Sequence, residues 1–240
     1  AQIVRELGKF LKEGSLYRGF KPVLWSTVEK TALADAEVEY KDNKSDKIYT
    51  SFSVKSYTLT ELAGSEIVVW TTTPWTIPAN KALAYNEALY YVLIQLNDEG
   101  NFKNRKIVIA EALIDSVVKE CSINDFKEIK RFKGKELNGT ICKHPFFDLG
   151  YEFDIPMLAA RFVTTEQGTG IVHCAPSHGP DDFNLCLNHG IKAIETVDGD
   201  GKYTKNVQLF EGIHIFKANP IVIEKLKEQK KLLSNGELIH

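Results

Sequence analysis

The chain has 240 residues, is 43% hydrophobic and 26% charged, and carries a net charge of −2, an ordinary globular composition sufficient for one large domain or two small ones. The near-zero charge excludes a globally basic nucleic-acid binder, so a nucleic-acid partner has to meet a local patch. Cys121, Cys142, Cys174 and Cys186 show neither C-x-x-C nor secreted-framework spacing, no apolar run reaches membrane-spanning length and no signal peptide opens the chain, so a cytoplasmic setting with reduced thiols is expected.

The start at Ala1 rather than Met reads as a piece of a longer protein. In chain order, Ile3, Val4, Leu7, Phe10 and Leu11 fall at helical spacing, which predicts a helix over 3–12 ended by Gly14. Residues 17–25 read as extended, 31–40 as a short helix or a strand, and 41–47 as a charged turn. Alternation predicts a strand over 48–59. A β-rich run, 66–80, ends in Thr71, Thr72 and Thr73, where Pro74 and Pro78 forbid a continuing strand or helix. Strands are predicted over 90–96 and 106–110, a turn over 97–101, and a helix over 112–121. Residues 129–140 read as short strands and turns, and 152–162 as an apolar run interrupted by Pro156.

The chemistry concentrates in 168–182. Gly168 to Gly170 is a glycine turn, 171–175 a buried strand holding His173, and Gly179-Pro180 a loop. Asp181 or Asp182 is expected to cap a helix that Gly190 closes. Residues 197–207 read as a polar loop, and Asn219-Pro220 as the start of a last helix over 221–233. Short strands with three or four helices predict an α+β fold, a mixed, curled or barrel-like sheet with peripheral helices. No regular βαβ alternation and no G-x-G-x-x-G supports a dinucleotide fold.

Two stretches carry a family resemblance. Trp70-Thr71-Thr72-Thr73-Pro74-Trp75-Thr76-Ile77-Pro78-Ala79-Asn80 and Gly168-Thr169-Gly170-Ile171-Val172-His173, followed by Ala175-Pro176 and His178-Gly179-Pro180-Asp181-Asp182, closely resemble the editing domain of the bacterial-type isoleucyl-tRNA synthetases. That domain is the connective peptide 1 insertion of these class I enzymes. The valyl and leucyl enzymes carry Arg before the proline and lack the following Trp, so the run points to the isoleucine branch. Residues 23–40 also resemble the entry of the insertion. Where some members carry a cysteine pair after the tryptophan, this chain has Ser26-Thr27-Val28-Glu29. H-I-G-H and K-M-S-K-S are absent, so neither amino-acid activation nor tRNA charging is expected of these residues.

The resemblance implies one editing domain over 1–240, with 1–45 and 208–240 leading to an absent catalytic core. It implies a monomer without cofactor or metal, acting on the 3′ end of tRNA(Ile) carrying valine and working beside the rest of the synthetase. A pocket separates side chains differing by one methylene by only about 1–3 kcal/mol, a limit for which isoleucine against valine is the standard illustration, so a second site has to hydrolyse the valyl ester. By the motif match, Asp182 is expected to take the α-ammonium. His173 is expected to wall the side-chain pocket, and Thr72 and Thr73 to bind the ester and place the attacking water. Thr71, Trp75, Thr76, Asn80, Gly170, His178 and Asp181 are the expected substrate-binding positions. Two other functions compete with this one: a metal-dependent hydrolase built on the His/Asp cluster, and a non-catalytic tRNA-binding module.

Overall fold

The computed structural model describes residues 1–39, 41–98 and 102–239. Tyr40 and positions 99–101 of the expected turn over 97–101 lie outside the described residues. Helix α1 (Gln2–Lys12) forms where its apolar spacing predicts, and none of its residues is buried. Strands β1 (Trp25–Ser26) and β2 (Thr31–Ala32) pair antiparallel, so strand rather than helix opens the ambiguous 31–40 stretch. The expected charged turn 41–47 is cut short, because β3 (Lys44–Ser56) already begins inside it.

There follow β4 (Ser65–Thr71), β5 (Ala82–Tyr85), β6 (Tyr90–Leu96), β7 (Lys106–Ala110), α2 (Ile114–Glu120), β8 (Phe126–Lys133), β9 (Ile141–Lys143) and β10 (Asp154–Ala159). The chain ends with β11 (Ile171–Cys174), α3 (Pro180–Asn188), α4 (Ala218–Glu228) and β12 (Leu232–Ile239). One ten-stranded sheet runs in the order β11-β5-β10-β9-β3-β4-β7-β6-β8, with β12 on β3. The pairs β5/β10 and β4/β7 are parallel, which makes this a mixed α+β sheet. The expected barrel-like closure is not formed: among the described residues no ladder joins β11 to β8.

Burial explains the order. β6 and β7 are near-continuous apolar runs, as strands covered on both faces require. Their Leu93, Ile94 and Val108 share one core cluster with Phe52 of β3 and Ile67 of β4. A second cluster joins Ile48, Ile77, Phe146, Tyr203 and Val222 between α4 and the sheet, and a third places Ala82, Ala84 and Cys174 against Leu185 and Cys186 of α3. Glu66 on β4 takes Arg105 Nη2 and Lys231 Nζ, each at 2.6 Å, tying β4 to the segments that lead into β7 and β12. Burial raises the Glu66 carboxyl, and the two cations more than offset it, holding the group below its ordinary range.

Four expectations change. The run after β4 turns into a short 3-10 helix, Pro74–Ala79, whose missing amide hydrogens at Pro74 and Pro78 are tolerated at this length. Pro156 does not interrupt β10; it pairs with Ile141 inside the ladder. Neither Asp181 nor Asp182 caps α3: Gly179 holds that position, Pro180 opens the helix, and both aspartates sit in its first turn. The last helix stops at Glu228 rather than 233, because Lys230 turns left-handed (φ 57°) and 232–239 pair with the free edge of β3.

Candidate functional site

The site begins with two glycines. Gly168 and Gly170 adopt φ of +81° and +70°, the left-handed region that glycine enters without steric cost. Between them Thr169 accepts a hydrogen bond from the Ala110 amide at 2.8 Å, and the Tyr91 hydroxyl donates to the Gly170 carbonyl at 2.7 Å. The turn is thereby pinned to β7 and β6, and β11 enters antiparallel to β5 with His173 opposite Leu83. Strand alternation sends Cys174 to the opposite face, under α3, where burial pushes its thiol well above the ordinary value.

A cavity of about 390 Å³ opens between this loop and the threonine ridge. Thr71, Thr72, Thr73 and Thr76 line one side; Gly168, Gly170, His173, His178 and Asp182 line the other. The two motifs, nearly a hundred residues apart in sequence, face one another. Trp75, Asn80 and Asp181 do not line this cavity. Trp75 lines a neighbouring cavity of about 520 Å³, Asn80 is buried behind His173, and Asp181 is exposed on α3. Phe162, Thr164 and Gln167 add to the lining from the loop after β10. Their one sequence signal is a polar stretch ahead of Gly168.

The ridge is a directed hydrogen-bond chain. Asn80 Nδ2 donates to the Ala82 carbonyl at 2.9 Å and to His173 Nδ1 at 3.0 Å. Turning that amide over would set its oxygen against the Ala82 carbonyl, so Nδ1 accepts and the His173 proton sits on Nε2. Nε2 then donates to Thr76 Oγ1 at 2.7 Å, and the Thr76 hydroxyl donates to the Thr73 carbonyl at 2.8 Å. Thr71 Oγ1 accepts from the Thr73 amide at 3.1 Å and lies 3.1 Å from the Thr73 hydroxyl. The half-buried Thr72 hydroxyl has no partner among the described residues, so its hydrogen-bonding capacity is free to serve the cavity. Asn80 Oδ1 is buried without a partner among the described residues, a cost accepted to fix the imidazole.

Burial sets the charges. It pulls His173 down to about 3 and His178 down to about 4, so both rings are neutral near pH 7. It pushes Asp182 up to about 6, although the Ala175 amide donates to Asp182 Oδ2 at 2.9 Å and works the other way. With both nitrogens engaged and a depressed pKa, His173 is a rigid neutral wall rather than a base. A nitrogen-15 NMR titration is therefore expected to find His173 protonated on Nε2 alone and uncharged at pH 5. A titration near 6.5, or a proton on Nδ1, would contradict the chain drawn here. Among the described residues, no three His, Cys, Asp or Glu side chains converge in a metal-binding group.

Known proteins are similar to this chain over nearly its whole length. The family profile for tRNA synthetases class I (I, L, M and V) matches residues 1–229. An isoleucine–tRNA ligase of Pelagibacter ubique is 79% identical over the whole chain, which covers 26% of that protein. One of Gluconobacter oxydans is 48% identical over 96% of the chain and 25% of its own length. The chain thus spans about a quarter of the curated relatives it matches. The solved structure of GlLeuRS-CP1 superposes with a TM-score of 0.58 at 13% identity, over 78% of this chain and 97% of that one. The P. knowlesi cytosolic leucyl-tRNA synthetase editing domain gives 0.58 at 11% identity, over 85% and 99%. At such identities the likeness shows a shared fold. The family match extends over nearly every residue: the chain belongs to the class I tRNA synthetases of the isoleucine, leucine, methionine and valine group.

Proposed function

We propose that this chain is the proofreading domain of a cytoplasmic isoleucyl-tRNA synthetase and hydrolyses the ester joining valine to the 3′-terminal adenosine of tRNA(Ile). The observation that carries the reading is the cavity between the two motifs, where the Asp182 carboxylate, the unpartnered Thr72 hydroxyl and the neutral His173 imidazole meet. Asp182 takes the α-ammonium of the amino acid in a charge-assisted hydrogen bond. Thr72 contacts the ester or the attacking water, and Thr73, at the exposed end of the ridge, assists it.

Water adds to the ester carbonyl carbon, and the carbonyl electron pair moves onto oxygen. Collapse breaks the bond to the ribose oxygen, which leaves with a proton from the water, giving free valine and an intact tRNA 3′ hydroxyl. An ester is an activated acyl group, so placing the water and stabilising the developing oxyanion account for catalysis without a covalent intermediate. The rest of the synthetase, outside these residues, would supply activation and charging.

The test is valine release from valyl-tRNA(Ile). The wild type is expected to accelerate it over tRNA alone, and Thr72→Val to lower kcat by about ten- to a hundredfold. The fold should not change, because no protein partner of that hydroxyl is lost. Release no faster than from tRNA alone would overturn the reading.

A further inference from the structure

His178 is the one residue that lines both cavities among the described residues. Behind it the 520 Å³ cavity is walled by Trp25, Trp75, Ile194, Val197 and Ile215. One imidazole thus separates this space from the cavity that holds Asp182. That ring is fixed: it meets the Trp75 ring edge to face, with centroids 4.8 Å apart and planes at 76°, and its Nε2 lies 2.9 Å from the hydroxyl of buried Thr196.

Trp25 of β1 leaves 44% of its surface exposed, yet it is not loose. Its Nε1 donates to the Gly199 carbonyl at 3.0 Å, and Lys30, in the turn between β1 and β2, pairs with Asp200 at 2.6 Å. A methyl on Gly201 would stand 2.7 Å from Thr27 Cγ2, so the hairpin sits directly on the 198–201 loop. An aromatic face that is both rigid and open is a platform on which a flat ring stacks without first ordering the side chain.

Charge narrows the ligand. Glu195 and Asp198 line the cavity against one cation, Lys21. That balance disfavours a phosphate and favours a ring that donates hydrogen bonds. Asp198 is already committed: its Oδ1 accepts from the amides of Asp200 and Lys202, each at 2.9 Å. The Glu195 backbone is fixed, its carbonyl accepting from Thr204 Oγ1 at 2.7 Å and Asn206 Nδ2 at 2.8 Å. Its side chain, on an exposed residue, has no partner among the described residues. A carboxylate accepts from the exocyclic amine of cytosine and repels the carbonyl oxygen that uracil carries at the same place.

Resting on the deacylase reading above, we infer that the second cavity is a subsite for the nucleotide preceding the terminal adenosine, its cytosine stacked on Trp25 and its amine donating to Glu195. Every tRNA carries cytidine there, and single-stranded RNA is read by such stacking and edge contacts. The sugar-phosphate link between two nucleotides is longer than one ring is thick, so ester and preceding base occupy the two spaces together.

The test compares three non-hydrolysable analogues, each carrying valine through a 3′ amide: 5′-phosphoadenosine, cytidylyl-adenosine and uridylyl-adenosine. Dissociation constants are measured for the wild type, Trp25→Ala and Glu195→Gln. The wild type is expected to bind the cytidylyl analogue about tenfold tighter than phosphoadenosine and about fivefold tighter than the uridylyl one, within the range one stacked and paired base commands. Trp25→Ala is expected to lose the cytidylyl gain while holding phosphoadenosine within about twofold, which reports an intact first cavity. Glu195→Gln, whose amide donates as well as accepts, is expected to tighten the uridylyl analogue to within about twofold of the cytidylyl one. A gain of binding cannot come from a misfolded variant. Equal binding of all three analogues by the wild type, a cytidylyl gain that survives Trp25→Ala, or a cytidine preference that survives Glu195→Gln would overturn the inference and leave the deacylase reading standing. Binding of none of the three by the wild type would overturn both.

Discussion

Asp182→Asn is expected to reduce ester cleavage about a hundredfold or more in kcat/KM and, at the same time, to make the fold more stable at pH 7. The two effects share one cause. Burial raises the Asp182 carboxyl from 3.8 to about 6, so at pH 7 the folded chain carries an ionised group that its surroundings disfavour. A raised acid favours the fold below its unfolded value of 3.8, and that advantage is lost as pH climbs through about 6. Two units correspond to at most roughly 3 kcal/mol, fully expressed above pH 6. Asparagine keeps an oxygen for the Ala175 amide, which donates at 2.9 Å, but removes the charge. Denaturant midpoints should then separate at pH 7, with the variant higher, and converge at pH 4. Taking the difference between variant and wild type cancels the opposing acid sensitivity of His173 and His178, whose lowered values weaken the fold as pH falls below 6.5.

Activity follows the opposite sign. The ammonium of the ester stabilises the ionised carboxylate, and its loss leaves a desolvated cation unpaired. The wild-type rate should rise through about 6 as Asp182 ionises and fall near about 8 as an α-amino group loses its proton, giving a bell. No limb should follow His173, which is neutral throughout. A variant that cleaves valyl-tRNA(Ile) with unchanged kcat/KM, or that loses stability at pH 7, would sink the role given to this carboxylate.

How much of this was legible in the residues depended on whether local chemistry or distant partners set each element. β6 and β7 announce themselves, because their apolar runs are bounded by turn residues and buried on both faces. β5 does not: Ala82–Tyr85 is too short to show a period, and its strand character comes from β10 and β11 on either side. β12 was hidden for a related reason. Leu232 and Leu233 continue the helical spacing of α4, and only the left-handed Lys230 and the open edge of β3 end it. At the site, the motifs named the ridge and the loop, and the cavity between them is there. The roles of Asn80 and Trp75 were not legible as such. Their residue types suit a ligand contact equally well, and only the placement of Asn80 behind His173 and of Trp75 against His178 makes them supports.

Gly170→Ala is expected to cost the fold roughly 2–5 kcal/mol, a large share of a typical domain's stability, and to remove activity with it. Two penalties add. At φ +70° an alanine pays about 1–2 kcal/mol for the left-handed backbone. Its methyl would stand 2.3 Å from the Ala110 Cβ, a distance no pair of carbons tolerates. Neither side gives way easily, since the Tyr91 hydroxyl holds the Gly170 carbonyl and the Ala110 amide holds Thr169. Overpacking of this kind costs about 1–3 kcal/mol beyond the backbone term. Gly168→Ala separates the two contributions: its φ is +81°, but the nearest atom a methyl would meet is Trp70 Cε3 at 3.5 Å, an ordinary contact. It should lose only the backbone share. Ala110→Gly in the Gly170→Ala background should recover the overpacking share and not the rest, because the Ala110 Cα would then lie 3.5 Å away. If the double variant is no more stable than Gly170→Ala alone, the contact with Ala110 is not what demands glycine, and the turn that delivers His173 to the cavity is held by its backbone angles only.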